Sequence, residues 1–169
     1  MSTEELTQPE LPSTPDVVNN PAENQTASKE PATASNYIIA GLDLGTNTSC
    51  IQAVDAATGN EVCNTVVPTI VGYADRGILA GILPDDSAEL FGTEALRNEL
   101  HLRISRPLKN GVIEDVDAAS KFVKHLRDIV DPGGNATIHA VVGIPSNADE
   151  EAKENVQKAV TGIFDSAIL

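Results

Sequence analysis

Apolar residues follow three regimes along the chain. From residue 1 to 36 they are sparse and without period. From Tyr37 they alternate with polar or small residues, as in paired strands. Later they recur at helical spacing between further strand-like runs. Strands are expected at about 37–43, 48–55 and 61–66, with Ala57-Thr58-Gly59-Asn60 turning between the last two. A further strand is expected over Thr69, Ile70, Val71, Gly72 and Tyr73, followed by a turn at Asp75-Arg76-Gly77. Residues 92–100 suggest a short helix with Thr93 as its cap.

A longer helix is expected from about Asp117, whose carboxylate is placed to accept from the first free amides. Its apolar positions Ala118, Phe122, Val123, Leu126, Ile129 and Val130 share one face, and Pro132-Gly133-Gly134 ends it. Thr137 to Ile144 reads as a strand closed by Pro145. Ser146-Asn147-Ala148-Asp149 then offers a helix start, with Ala152, Val156, Ala159, Val160 and Ile163 on the inner face. A last strand begins near Asp165 and ends in Ala167, Ile168 and Leu169, which reads as a buried strand cut short. Strands in a meander followed by helix–strand alternation predict an α/β domain. Its three antiparallel strands are extended by parallel ones through helical crossovers.

Residues 1–36 contain five of the ten prolines and carry five net negative charges, with Lys29 the single cation. Such a segment cannot bury enough apolar surface to offset its ordering entropy, so a disordered acidic tail is expected. The remaining residues, 37–169, suffice for one domain. Across the 169 residues, 25 acidic against 11 basic side chains give a net charge of −14. That field argues against nucleic acid and against anionic lipid as partners. No apolar run reaches the ~18 residues needed to cross a bilayer. Cys50 and Cys63 fall in expected strands, and the absence of a signal peptide favours a reduced, cytoplasmic setting with buried free thiols. Pairing across aligned strands is the alternative.

The candidate chemistry lies in Gly41-Leu42-Asp43-Leu44-Gly45-Thr46-Asn47-Thr48. A strand that opens into Gly45-Thr46-Asn47-Thr48 and turns back into another strand offers successive amides and hydroxyls to an anion. Asp43, at the end of the incoming strand, suits a magnesium ion held through water. The combination points to a nucleoside triphosphate. A hairpin without a ligand is the plain alternative, because the same residue types make ordinary turns. The chain has no Walker loop and no Gly-x-Gly-x-x-Gly. His101, His125 and His139 show no ligand spacing, and His125 reads as a surface residue beside Leu126. No metal-cage, Ser/His/Asp or Cys/His constellation is legible.

The stretch 41–51 resembles the first phosphate loop of the actin and heat-shock-chaperone ATPase superfamily. A second block, Arg106-Pro107-Leu108-Lys109-Asn110-Gly111-Val112-Ile113-Glu114-Asp115, resembles the corresponding stretch of bacterial actins of the MreB type and their magnetosome-organising MamK-type relatives. Ala140-Val141-Val142-Gly143-Ile144-Pro145-Ser146 is similar to the strand those proteins carry next.

The resemblance implies the N-terminal lobe of the actin-like ATPase (ribonuclease H-like) fold, a mixed sheet with flanking helices, over about residues 37–169. It implies ATP and Mg2+ as ligands of the intact parent. Gly45, Thr46, Asn47 and Thr48 would take the phosphates, and Asp43 would face the metal. It further implies a cytoskeletal filament, serving cell shape or organelle positioning, whose partners are its own or full-length subunits. The family's catalytic acidic residue, second phosphate loop and adenosine segment find no match here. The expectation is therefore a truncated or partial chain that binds ATP weakly or not at all and does not turn it over.

Arg106 and Lys109 are expected as a solvated basic spot or as ion-pair partners for Glu114 or Asp115. Two other readings stay open: a chaperone-like ATPase lobe, and a non-enzymatic remnant that modulates a full-length filament.

Overall fold

The computed structural model describes residues 36–169; the acidic tail expected at the N-terminus lies outside the described residues. Five strands form the main sheet: β1 (Tyr37–Asp43), β2 (Thr48–Asp55), β3 (Glu61–Pro68), β9 (Thr137–Gly143) and β10 (Ser166–Ile168). Their spatial order is β10-β9-β1-β2-β3. The first three strands are antiparallel, while β9 joins β1 and β10 joins β9 in parallel. The mixed sheet expected from the alternation of elements is the one observed.

Two helices, α2 (Val116–Val130) and α3 (Glu150–Val160), make the crossovers. Their apolar stripes and the inward residues of the sheet form one core. Ile38, Ala40 and Leu42 from β1, Ile51 and Ala53 from β2, and Ile138, Ala140 and Val142 from β9 cluster with Phe122, Val123 and Leu126. The helix stripes match the sequence pattern, except that Ile129 is half-buried and Ile163 lies beyond the end of α3. Both N-caps fall elsewhere than expected. Asp115, not Asp117, accepts from the Ala118 amide at 3.0 Å, and Asp149, rather than Ser146, accepts from the Ala152 amide at 2.8 Å. In each case the carboxylate three residues before the acceptor-seeking amide wins, because only there does extended backbone aim the side chain at it.

A second, three-stranded sheet has the order β5-β4-β6, from β4 (Val71–Ala74), β5 (Glu89–Phe91) and β6 (Leu102–Ser105). With α1 (Gly92–Arg97) it encloses a small cluster of Ile70, Leu83, Leu90, Ala95 and Leu102. Thr93 is not the cap of α1: Phe91 occupies that position, and no side chain caps the helix. The last strand also differs from expectation, since all of β10 is exposed at the edge of the main sheet. Among the described residues no helix is long and apolar enough to cross a membrane.

Cys50 and Cys63 are free and half-buried. The register sets Cys50 opposite Val66 and Cys63 opposite Ala53, on opposite faces of the sheet, so they do not pair. Burial, then the charge of Glu61, pushes the Cys63 thiol up.

His125 is not a surface histidine. It is half-buried, and its ring stacks on Phe91 with centroids 4.9 Å apart. Burial holds the imidazole below its ordinary value of 6.5, against the opposing pull of Asp128 and Glu94. A histidine whose folded pKa is depressed contributes stability that is fully present above the unfolded value and is lost as pH falls through about 6.5. Urea denaturation of the wild type and His125→Gln between pH 7.5 and 5 tests this. The advantage of the wild type over the variant should shrink steadily as pH falls; a constant difference would contradict the assignment.

Candidate phosphate-binding hairpin

Three stretches far apart in the sequence meet at the carboxyl ends of β1 and β9. The first is the β1–β2 loop, Leu44 to Asn47. Its shape depends on Thr69, which follows β3 and is fully buried. The Thr69 hydroxyl donates to the Gly45 carbonyl at 2.7 Å, and the Thr69 amide donates to the Asn47 carbonyl at 2.9 Å. Buried Ser49 completes the set, its hydroxyl 2.8 Å from that of Thr69. Because Thr69 gives its proton to Gly45, Ser49 is the donor in this pair. Two loop carbonyls are thereby tied to one residue, one by its side chain and one by its backbone amide. Among the described residues, the amides of Gly45, Thr46 and Asn47 donate to no protein group. A backbone amide left without a protein acceptor needs water or a ligand.

Gly45 is required by this bend. A Cβ there would run into the Thr48 carbonyl oxygen, which is backbone and cannot swing aside. Gly45 and Thr46 are half-buried, whereas Asn47 and Thr48 are exposed. Asp43 closes β1, exposed, opposite Cys50 on one side and Gly143 on the other. Among the described residues its carboxylate has no hydrogen-bond or ion-pair partner. No cluster of three or more His, Cys, Asp or Glu able to hold a metal occurs among them either. A cation at Asp43 would therefore depend on phosphate and water for its remaining ligands.

The second stretch is a hairpin that sequence periodicity missed: β7 (Leu108–Lys109) and β8 (Val112–Ile113). Asn110 and Gly111 both have positive φ, 50° and 79°, the geometry that favours Asn-Gly in two-residue hairpins. That dipeptide was the available signal. The turn carries the Gly111 amide to the Thr46 hydroxyl oxygen at 2.8 Å, leaving the Thr46 proton free to donate elsewhere. Lys109 lies 3.6 Å from Glu114 in an exposed ion pair, as expected, while Arg106 is exposed without one among the described residues. The third stretch is the end of β9. A Cβ on Gly111 would lie 3.7 Å from Pro145. Next to this junction a cavity of about 440 Å³ is lined by Asn110, Glu114, Asn147, Asp149 and Asn155 among others.

Ligands of open α/β sheets gather outside the carboxyl ends of the strands, where this junction lies. The structure brings Asp43, Gly45, Thr46, Asn47 and Thr48 to one side of it.

No protein-family model matches the chain. It is 28% identical over 141 residues to the actin-like protein MamK of Paramagnetospirillum magneticum, covering 80% of this chain and 38% of that protein. Against the actin-like protein MamK of Magnetospirillum gryphiswaldense the identity is 27% over 141 residues, covering 80% and 37%. Among solved structures, a MamK double helical filament matches with a TM-score of 0.64 at 26% identity, covering 78% of this chain and 40% of that one. A non-polymerising MamK mutant bound to AMPPNP also gives a TM-score of 0.64 at 26% identity, with 80% and 41% covered. ADP-bound MreB5 of Spiroplasma citri, 21% identical with a TM-score of 0.54 over 79% and 38%, shares the fold.

Sequence and structure together support a bacterial actin-like family over about 80% of this chain, and the mixed sheet with its flanking helices matches part of an actin-like lobe. The chain spans about two fifths of the length of the curated relatives it matches.

Replacing Thr69 by Val should strand the Gly45 carbonyl and the Ser49 hydroxyl together, costing about 1–3 kcal/mol. Thr69→Ser should retain most of that stability in urea titrations. A valine variant as stable as the wild type would show that the lock is not structural.

Proposed function

We infer that this chain is a phosphate-binding portion of an ATP-dependent, filament-forming actin homologue. The observation that carries the reading is the hairpin at 44–47, with its carbonyls tied to Thr69 and three successive amides without protein acceptors. The β- and γ-phosphates of a nucleotide would accept from the amides of Gly45, Thr46 and Asn47 and from the free hydroxyl protons of Thr46 and Thr48. Asp43, exposed at the strand end, would hold Mg2+ through water. A nucleotide bound here would supply the phosphate charge to which this side of the cleft responds.

The AMPPNP-bound MamK structure supports a nucleotide as the ligand, and the MamK filament supports self-association as the assembly mode. The MamK relatives also favour an actin over a chaperone-like lobe. We place the protein in the cytoplasm, as a subunit or a partner of such filaments.

The bond from the Gly111 amide to Thr46 gives the site a mechanical consequence. A phosphate would accept the Thr46 proton while the Thr46 oxygen still accepts from the Gly111 amide, so the two contacts can form together and polarise each other. Phosphate occupancy and the position of the turn would be coupled through one hydrogen bond, a coupling limited to roughly 0.5–1.5 kcal/mol.

One wall of donors holds a triphosphate weakly, since each missing contact from an opposing wall costs on the order of 1–3 kcal/mol. Titration of the ¹⁵N-labelled chain with Mg·AMPPNP tests the reading. Millimolar ligand should move the amide resonances of residues 45–48 and Gly111 ahead of all others, and Mg·ATP should release no phosphate above background. Shifts confined to other regions, or none at saturating ligand, would refute the assignment.

A further inference from the structure

Asn110 is the one asparagine of the chain that is followed by glycine. Asparagine is chemically labile, and most so before glycine, whose amide nitrogen reaches the neighbouring side chain with no Cβ in its way. The structure puts the pair at the tip of the β7–β8 hairpin, Asn110 exposed and Gly111 half-buried. Asn110 also borders the cavity of about 440 Å³, so water has access to its side chain.

Among the described residues, few bonds hold this tip closed. Strands β7 and β8 have two residues each, and buried Leu108 and Ile113 anchor only their base. The bonds from the Asn155 side chain to the Ile113 carbonyl, 3.2 Å, and from the Glu114 amide to the Pro107 carbonyl, 3.0 Å, lie at the base as well. Beyond the pairing of Lys109 with Val112, the tip has an exposed ion pair of Lys109 with Glu114, which contributes little. What remains is the bond from the Gly111 amide to the Thr46 hydroxyl oxygen at 2.8 Å. That bond engages the same N–H that must lose its proton before the nitrogen can attack.

We propose that Asn110-Gly111 is a deamidation site whose reactivity is gated by Thr46. When the tip opens, base removes the Gly111 amide proton and the nitrogen attacks Cγ of Asn110. The new C–N bond closes a succinimide ring. The bond to the side-chain nitrogen breaks, and that nitrogen takes a proton from water and leaves as ammonia. Water then opens the ring at either carbonyl, giving aspartate or isoaspartate; nothing is oxidised or reduced. Either product puts a carboxylate beside a cavity already lined by Glu114 and Asp149. Isoaspartate also lengthens the main chain by one methylene, which a two-residue turn cannot absorb with its pairing intact. The functional consequence rests on the reading of residues 44–47 as a phosphate site: the added charge at the turn opposes an anion there. The chemistry itself does not rest on that reading.

The full chain is incubated without nucleotide in mildly alkaline buffer. Each asparagine is followed by peptide mass mapping, with fragmentation that separates aspartate from isoaspartate. Asn110 should convert ahead of every other asparagine, and faster as pH rises, because the step begins with loss of a proton. Thr46→Val should speed conversion at Asn110 about three- to tenfold, the worth of one hydrogen bond, and leave asparagines outside the loop unchanged. Thr46→Ser, which keeps the hydroxyl, should convert at the wild-type rate. Conversion of Asn110 no faster than that of the other asparagines overturns the proposal. So does a valine variant that matches the wild type at Asn110, or one that accelerates all asparagines alike through general unfolding. The consequence is read separately, by repeating the Mg·AMPPNP titration on fresh and aged chain. The aged chain should need several-fold more ligand for the same shifts at residues 45–48, and equal titrations would refute the consequence. A fresh chain without those shifts would refute the phosphate reading and leave the deamidation result standing.

Discussion

The candidate site depends on one buried hydroxyl. Thr69 reaches the Gly45 carbonyl with its side chain and the Asn47 carbonyl with its backbone amide, while Ser49 supports it from β2. A tight loop between two strands has more polar backbone groups than neighbours to satisfy them. Which groups are satisfied internally decides what the loop can bind. Here two carbonyls are satisfied and three amides are not, so the loop is predisposed to an anion rather than a cation. Gly45 makes the arrangement sterically allowed, since the Thr48 carbonyl occupies the space a side chain would need.

The rest of the fold delivers partners to that loop. Parallel pairing of β9 with β1 aligns Gly143 with Asp43, which fixes where the chain leaves the sheet and where Pro145 turns it away. The Asn110-Gly111 turn is held over the loop by a single bond to Thr46. The core beneath is built mainly from Val, Ile, Leu and Ala with Phe122 at its centre, and it anchors α2 against the same strands. Packing on one face of the sheet thus positions the site.

Much of this was legible in the sequence, and the exceptions have physical causes. The meander of β1 to β3, the strand at 137–143 and the stripes of α2 and α3 were readable because each runs seven residues or more, long enough for a period to show. Strands of two to four residues, β5 to β8, carry no measurable period and came only with the structure. Caps were misplaced by two or three residues because Asp115 and Asp117, or Ser146 and Asp149, are equally good cap chemistry until the backbone chooses. His125 was misread because its burial comes from Phe91, on an element that no sequence pattern announced. Within the site, the residues of the loop were legible from Gly45 to Thr48, but Thr69 was read as an ordinary strand residue. A hydroxyl that acts across 24 positions of sequence leaves no local signature.

The most direct test of the account replaces Mg2+ by paramagnetic Mn2+ in a complex of the ¹⁵N-labelled chain with AMPPNP. Broadening falls steeply with distance from the metal, so it reports where the cation sits without requiring tight binding. The account predicts that the amides of residues 43–48 broaden first, followed by Gly111 and the end of β9 at Gly143. Broadening centred on another part of the chain, with residues 43–48 left sharp, would contradict it.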